Sequence, residues 1–553
     1  MIDTAAPWQE AAAAKRQERQ ASVPHEWLLA PSVLEGVHLG PDSGTNVLAL
    51  DLPRRSGLLS ELELAITEKY SCPDLLQKLA ARELSSAQVT LAFCKRAAIA
   101  HQLTNCLTEI FFERGLSRAK YLDEYIQTHK KPIGPLHGLP ISIKDCFDIE
   151  GLPSTIGLVS YLKNPPMPHN SHVIDILLDL GAVLYVKTNV PQSMMTCDSE
   201  NNVFGRTLNP QNLSLNAGGS SGGEAALIAF HGSPIGIGTD FGGSIRMPAA
   251  CTGIYGFKPS SGRVPYGRQT EGVTPGYIPF SGAAGPLCHG VSDIACFMEA
   301  VISAKPWNYD SSAIAFPWRH LPDLDRPLTI GLLAEDPKYP LHPPVRRALC
   351  LAAEKLTAAG HTVVPIPHDP EHSISVSTEL MFRYYHSDPD KTVLKIIQDG
   401  KEPVIESLVR MNTLGSLGET NELPIRELGA MNRLRYAIIE YWRKTFVDGK
   451  LDVLLAPPSQ TTAVAHDTWN WIPYTASFNL VEFPGIVIPF SRSSKELDPD
   501  AVVFEAPAIG PKYDPILVDG APCSVQVLAR SLQDEECLRA AKIIDGVLNK
   551  TSS

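Results

Sequence analysis

Apolar and polar residues alternate along most of the chain in blocks that predict helices and strands in turn. The segment "SHVIDILLDLG" (171–181) has apolar residues at helical spacing and ends at a glycine, and the apolar strand "AVLYVK" follows it. The same order recurs in "GEAALIAFHG" with "PIGIGTD", and in a strand–helix–strand unit over 328–367. Further strands are predicted in "LDVLLAP", "FPGIVIPF" and "CSVQVLA", before a closing helix in "DEECLRAAKIIDGVL". This alternation predicts an α/β fold with a largely parallel sheet and helices on both faces.

The first 59 residues lack this alternation. A polar helix is predicted from about Trp8 to Arg19, and proline-rich irregular sequence follows it. The next helices begin with the capping-box pattern, in which a serine precedes Glu or Gln by three residues: "SELE" from Ser60 and "SSAQ" from Ser85. We therefore predict a helical and irregular N-terminal extension over 1–59 and one large α/β domain over 60–548.

Composition narrows the class of protein. The chain has 553 residues, of which 44% are hydrophobic and 20% charged, as in ordinary globular proteins. A net charge of -12 argues against a nucleic-acid partner. The sequence predicts neither a transmembrane segment nor a secretory signal. Eleven cysteines without a CxxC pair argue against a disulfide framework and favour a reducing compartment, so we expect a cytoplasmic location.

A glycine-rich stretch over 218–248 contains the serines Ser220, Ser221 and Ser244. Glycine lets backbone approach a ligand closely, so such a loop suits either a phosphate or a reacting carbonyl. A phosphate-binding P-loop requires a lysine beside its glycines, which is missing here, and "GIGTDFG" is only a weak match to a dinucleotide motif. The pattern GxSxG occurs around Ser220 and Ser221, but turn-rich "NPQNLSLNA" stands where a nucleophile elbow needs a strand.

A lysine base is the remaining way to activate a serine. Lys144 follows the apolar, β-prone "PISI", which predicts that it lies at the end of a buried strand. A lysine can accept a proton from a hydroxyl only when burial disfavours its ammonium form. Two questions stay open. Lys144 is either a base or half of an ion pair with Asp145 or Asp148, and Cys146 is either a nucleophile or a small buried thiol. No metal-ligand spacing such as HExxH is present.

Four motifs occur in order: "HGLPISIKD", "TNVPQSM", "GGSSGGEAALIA" and "GIGTDFGGSIRMPAA". Together they resemble the amidase signature family from about residue 60 to near the C-terminus, with the signature core at about 130–262. The similarity is greatest to the fungal acetamidase and general amidase branch, and "TNVPQSM" also resembles fatty-acid amide hydrolases. The resemblance implies one domain with a twisted mixed, mostly parallel sheet between helices. It also implies a small-molecule amide substrate and neither a metal nor an organic cofactor, and it is compatible with a homodimer.

The resemblance assigns roles to individual residues. It implies that Ser244 is the nucleophile, that Ser220 is a bridging serine in a cis peptide, and that Lys144 is the base. The backbone N–H groups of four residues are the expected oxyanion donors: Phe241, Gly242, Gly243 and Ser244. Substrate-binding residues are expected in the acyl-side segment and the first glycine cluster: Met194, Thr196 and Ser220.

The remaining expectations concern the surroundings of this site. Asp240 and Arg246 flank the nucleophile and are expected to pair with each other or with nearby backbone. The walls of the substrate pocket are expected in "STELMFRYYHSD" and "NWIPYTASFNL", outside the motifs. The main hypothesis is an amide hydrolase, with acetamide, aryl, fatty or secondary-metabolite amides all open as substrates. The alternatives are a glutaminase subunit of an amidotransferase and a binding protein with a relic site.

Overall fold

The computed structural model describes residues 7–277, 280–414, 423–500 and 509–549. The strands in these ranges are β1 Leu107–Ile110, β2 Pro140–Lys144, β3 Val183–Thr188, β4 Ile235–Asp240, β5 Tyr255–Lys258, β6 Ala283–Cys288, β7 Thr329–Leu333, β8 Thr362–Ile366, β9 Val453–Ala456, β10 Gly485–Arg492 and β11 Pro522–Leu528. The α-helices are α1 Pro7–Ala21, α2 Leu52–Arg55, α3 Glu61–Lys69, α4 Cys72–Ala80, α5 Ser86–Thr104, α6 Phe112–His129, α7 His172–Asp179, α8 Gly222–Ala229, α9 Arg246–Thr252, α10 Val291–Ser303, α11 Pro343–Ala358, α12 Ile374–Tyr385, α13 Thr392–Asp399, α14 Glu406–Met411, α15 Ile425–Asp448, α16 Pro473–Leu480 and α17 Asp534–Leu548.

The strands form a single mixed sheet in the order β1-β3-β2-β4-β6-β5-β10-β11-β9-β7-β8. Strand β2 pairs in parallel with β3 and β4, and β7 pairs in parallel with β8 and β9. The other six neighbouring pairs are antiparallel. One large α/β domain with a mixed sheet is therefore confirmed, but the expected predominance of parallel pairs is wrong. One antiparallel strand, β6, was missed because its sequence "AAGPLC" has no β-branched residue and therefore little strand propensity, although all six residues are buried.

The elements predicted from periodicity are present with shifts of a few residues at their ends. They include α7 with β3, α8 with β4, the parallel unit β7-α11-β8, the three late strands and the closing helix α17. Ser60 and Ser85 both form complete capping boxes, with Glu63 and Gln88 respectively. Side-chain capping thus starts α3 and α5 at the positions that the sequence indicates.

The N-terminal helix α1 packs against the edge strand β1. Lys15 Nζ lies 2.9 Å from a carboxylate oxygen of Glu109, and Arg19 Nη1 donates to Leu107 O at 2.7 Å. A helix is present where the sequence predicts one, while the domain boundary at residue 59 stays a prediction. No α-helix in the described ranges is long and apolar enough to cross a membrane.

The centre of the sheet places two strand ends side by side. Because β2 and β4 are parallel neighbours, Lys144 at the end of β2 and Asp240 at the end of β4 lie at the same edge. Helix α8 packs over these strands, and its buried Glu224 accepts from Ser142 Oγ at 2.5 Å and Thr188 Oγ1 at 2.9 Å. A Cβ on Gly236 would overlap this carboxylate, so glycine in β4 leaves the space that α8 needs.

We expect Gly236→Ala to lower the melting temperature, because the added methyl group displaces Glu224 from β2 and β3. Overpacking of this kind costs roughly 1–3 kcal/mol. The matched control is Gly546→Ala in α17, where no atom lies within 4 Å of the new Cβ. That change should be neutral or stabilise the protein slightly, since alanine favours helices over glycine. Equal melting temperatures for the two variants, measured by circular dichroism, would contradict the expectation.

Candidate active site

Lys144 is fully buried and is held by two hydroxyl groups. Its Nζ donates to Ser220 Oγ and to Thr239 Oγ1, both at 2.7 Å. Thr239 precedes the last residue of β4, so the neighbouring strand supplies the second contact. Lys144 makes no ion pair with any residue that the structure describes, which argues against its pairing with Asp145 or Asp148. Asp145 instead lies 3.6 Å from Lys187 Nζ.

Burial controls the protonation of this site. Removal from water lowers the pKa of Lys144 to about 8, although the negative charges of nearby Asp240 and Glu224 oppose the shift. The neighbouring Cys146 is also buried, and burial raises the pKa of its thiol to about 12. Cys146 is therefore a buried thiol with little thiolate at neutral pH, whereas Lys144 is close to losing its proton.

Ser220 lies in the loop that leads into α8. The peptide bond between Gly219 and Ser220 is cis, as the resemblance implies, and Ser220 is 2% exposed. A Cβ on Gly219 would lie 2.5 Å from Thr196 O, so the segment that contains Thr196 packs directly against this loop. Thr196 is buried and its Oγ1 has no hydrogen-bond partner among the described residues, while Met194 is half-buried.

Ser244 differs from Ser220 and Ser221 because it is partly exposed. Its carbonyl oxygen accepts from the backbone N–H of Ser221 at 3.1 Å, which joins the two glycine clusters. The hydroxyl of Ser244 makes no hydrogen bond to another residue in the described ranges, including Ser220. The structure therefore brings Lys144 and Ser220 into contact and leaves the Ser244 hydroxyl free to turn.

In the loop from Phe241 to Ser244, the backbone carbonyl oxygens and the backbone N–H groups differ in their hydrogen bonding. All four carbonyl oxygens accept hydrogen bonds, whose donors are Tyr385 Oη, Thr475 Oγ1, Met247 N and Ser221 N in chain order. The four backbone N–H groups have no acceptor among the residues that the structure describes. Four consecutive free donors beside a serine form a ready site for a negatively charged oxygen.

The expected pairing of Asp240 with Arg246 is present. Arg246 Nε lies 3.0 Å from Asp240 Oδ2, and both side chains are fully buried. Burial acts to raise the pKa of Asp240, but the charge and hydrogen bonds of Arg246 outweigh it and lower that pKa to about 2. Arg246 Nη2 also donates to Thr475 O at 3.1 Å, and Asn479 Nδ2 donates to Asp240 Oδ1 at 2.9 Å.

Three contacts of this site were not expected from the sequence. Thr239 stands inside a quoted motif, but nothing in its spacing marks it as the second partner of Lys144. Tyr385 and Thr475 lie in the two segments expected to wall the substrate pocket, and both contact the backbone of the loop 241–244, named the nucleophile loop below after the role proposed for Ser244. Their distance along the chain from that loop hides this role, since only folding brings α12 and α16 to it.

Known proteins are similar in sequence to this chain over nearly its whole length. The family model described as Amidase matches residues 88–538. An amidase of Gibberella moniliformis is 41% identical over 541 residues, which cover 98% of this chain and 99% of that protein. An acetamidase of Emericella nidulans is 39% identical over 560 residues, with 98% of each chain covered.

A solved structure of a fatty acid amide hydrolase superposes with a TM-score of 0.88 at 30% identity, covering 98% of this chain and 95% of that one. The similarity in sequence thus extends to the arrangement of the whole domain. This chain belongs to the amidase signature family and is a hydrolase that acts on amide C–N bonds.

Proposed function

We propose that the protein hydrolyses a small-molecule carboxylic amide to the acid and ammonia or an amine, through an acyl-enzyme on Ser244. One arrangement carries the proposal: a buried lysine bonded to Ser220 lies beside a loop whose four free N–H groups surround a partly exposed serine. The lysine supplies the base, the exposed hydroxyl supplies the nucleophile, and the N–H groups supply the electrostatic stabilisation that acyl transfer requires.

The first chemical step is a proton relay coupled to attack. Neutral Lys144 accepts the proton of Ser220 Oγ, from which it lies 2.7 Å, while Ser220 Oγ accepts the proton of Ser244 Oγ. For this transfer the unbonded hydroxyl of Ser244 turns towards Ser220. Ser244 Oγ then forms a bond to the amide carbon, and the carbonyl electron pair moves onto oxygen.

The resulting oxyanion is bound by the backbone N–H groups of Phe241, Gly242, Gly243 and Ser244. Loss of one donor from such a site typically costs about 3–4 kcal/mol of barrier. Lys144 next returns its proton through Ser220 to the leaving nitrogen, because an amide anion is too basic to leave unprotonated. The oxyanion then re-forms the C=O bond, the C–N bond breaks, and ammonia or the amine leaves the ester on Ser244. Water gives up a proton to the same relay, attacks the ester carbonyl and releases the acid from Ser244.

The substrate contacts are proposed at the acyl side. Met194, Thr196 and Ser220 line the approach to Ser244, and the unpartnered Thr196 hydroxyl is available to a polar substrate atom. A panel of amides graded by acyl length, including glutamine, distinguishes an acetamidase-like activity from activity on longer amides or a glutaminase.

Because all eleven cysteines are free thiols, we propose a cytoplasmic location, and a homodimer stays a prediction.

We expect Ser244→Ala to abolish amide hydrolysis because the nucleophile is lost. The protein should stay folded, because the Ser244 hydroxyl makes no hydrogen bond within the described residues. A fluorophosphonate should label the wild-type protein at Ser244, whose Oγ displaces fluoride from phosphorus. Cys146→Ala is the control and should be labelled like the wild type. Labelling that maps by mass spectrometry to Ser220 or Cys146, or hydrolysis that survives in Ser244→Ala, would reject the nucleophile assignment.

We expect Lys144→Met to lose nearly all activity and yet to be at least as stable as the wild type at pH 7. The folded pKa of Lys144 is about 8, below the unfolded value of about 10.4, so the unfolded chain binds more protons between these values. Stability due to Lys144 therefore rises with pH through this window, and below it the buried ammonium destabilises the folded state by about 3 kcal/mol. The advantage of the methionine variant should shrink from pH 8 to 10.5 in thermal melts.

Wild-type activity should fall as the pH drops below about 8, where Lys144 becomes protonated. Lys258→Met is the matched control, since burial also lowers the pKa of Lys258 to about 8 but its Nζ donates to carbonyl oxygens of Pro259 and Phe483. This control should keep the acid limb of the pH–rate profile. Loss of the acid limb in Lys258→Met would show that Lys144 is not the base. The base assignment also fails if Lys144→Met has a clearly lower melting temperature than the wild type at pH 7 and the two melting temperatures do not converge at high pH.

A further inference from the structure

Two side-chain hydroxyls from the second half of the chain bind carbonyl oxygens of the nucleophile loop. Tyr385 Oη, at the end of α12, donates to Phe241 O at 3.1 Å. Thr475 Oγ1, in α16, donates to Gly242 O at 2.7 Å. In a trans peptide the C=O and N–H of one plane point in opposite directions. Each hydroxyl therefore also sets where one N–H points: that of Gly242 for Tyr385, and that of Gly243 for Thr475.

The glycines are what allow these hydroxyls to approach so closely. A Cβ on Gly242 would overlap Tyr385 Oη, and a Cβ on Gly243 would overlap Thr475 Oγ1 and lie 2.8 Å from Thr475 Cβ. Gly243 also has φ +137°, a conformation that other residues rarely adopt. The same freedom lets an untethered glycine peptide rotate, so a loop of this composition needs external contacts to keep its N–H groups aligned.

Both donors are themselves held in place. The Tyr385 ring packs among Phe241, Phe280 and Phe382, with ring centroids 5.6, 6.0 and 5.6 Å away. Thr475 is fully buried, and its own carbonyl accepts from Arg246 Nη2 at 3.1 Å, so the helix is tied to the nucleophile loop a second time. Helices α12 and α16 also pack against each other. The two hydroxyls thus belong to one rigid support.

We infer that Tyr385 and Thr475 are positioning residues, which hold two peptide planes of the nucleophile loop so that the N–H groups of Gly242 and Gly243 face the reacting carbonyl oxygen. This inference rests on the proposed function, because it gives those N–H groups the role of oxyanion donors. Neither hydroxyl touches the reacting atoms in this scheme. Their removal weakens transition-state stabilisation and leaves the binding of the ground-state amide nearly unchanged.

The test compares Thr475→Val, which removes the hydroxyl at constant shape, with Thr475→Ser, which keeps it. The matched control is Thr67→Val in α3, a buried threonine whose hydroxyl, within the described ranges, donates only to carbonyl oxygens of its own helix. For the tyrosine, Tyr385→Phe is compared with Tyr513→Phe, a buried tyrosine outside both expected pocket-wall segments whose hydroxyl donates to Asp498 O at 2.8 Å. Each variant is assayed for kcat and KM on the best amide of the panel.

A fluorophosphonate provides the readout that a merely structural role would not move. The final extent of Ser244 labelling counts folded, competent sites, and the rate of labelling depends on stabilisation of the oxygen on phosphorus. For Thr475→Val and Tyr385→Phe we expect full labelling, kcat lower by about 10- to 100-fold, and KM within about twofold. The labelling rate should fall with kcat. Thr475→Ser should recover to within about threefold of the wild type, and both control variants should match the wild type.

The outcomes separate this inference from the proposed function. If Ser244 is the labelled nucleophile but Thr475→Val and Tyr385→Phe retain wild-type kcat and labelling rate, the positioning role is rejected and the acyl-enzyme proposal stands. A lower extent of labelling with an unchanged rate for the labelled fraction means that the hydroxyls only stabilise the fold, which also rejects it. If Ser244→Ala still hydrolyses the amide, the proposed function fails, and the positioning role fails with it.

Discussion

The active site depends on one buried carboxylate, Asp240, at the end of a central strand. A carboxylate without water is stable only when charge and hydrogen bonds surround it. Asp240 accepts from the backbone N–H groups of Ile245 and Arg246, from the Arg246 guanidinium and from Asn479 Nδ2. The chain from 240 to 246 is therefore folded back onto this side chain. Within the described part of the chain, this fold leaves the N–H groups of the four residues 241–244 without acceptors, while their carbonyl oxygens accept hydrogen bonds from the protein.

Lys144 lies near the ion pair of Asp240 and Arg246 but is not part of it. Two cations and two carboxylates lie near this edge of the sheet, yet Arg246 takes Asp240, and the buried Glu224 accepts from hydroxyls of Ser142 and Thr188. Among the described residues Lys144 has hydroxyl partners only, and the loss of water outweighs the opposing effect of nearby Asp240 and Glu224, so that its pKa falls to about 8. The ion pair with Arg246 thus keeps Asp240 ionised, while burial gives Lys144 the lowered pKa that the proposed base requires.

The loop is finished by parts of the chain far from it in sequence. Helices α12 and α16 contribute Tyr385 and Thr475, and Asn479 of α16 completes the shell of Asp240. The motifs of the signature core contain the proposed reacting groups, and the second half of the domain contains the side chains that bind the backbone of the loop. Of the proposed catalytic groups, Lys144 lies at the end of β2, whereas Ser220 and Ser244 lie in the loops that lead into α8 and α9.

Local pattern in the sequence was enough to predict the helix–strand order, the capping boxes at Ser60 and Ser85, and a lysine at the end of a buried strand, because these depend on neighbouring residues. The ordered motifs pointed to the family and to Lys144, Ser220 and Ser244 as candidates. The direction of the strands was not predictable, since pairing depends on how distant segments meet, and β6 has little strand propensity. Only the tertiary structure showed that Thr239 is the second partner of Lys144, and that Tyr385 and Thr475 bind the nucleophile loop, because contacts between residues more than 70 positions apart leave no periodic signal in the chain.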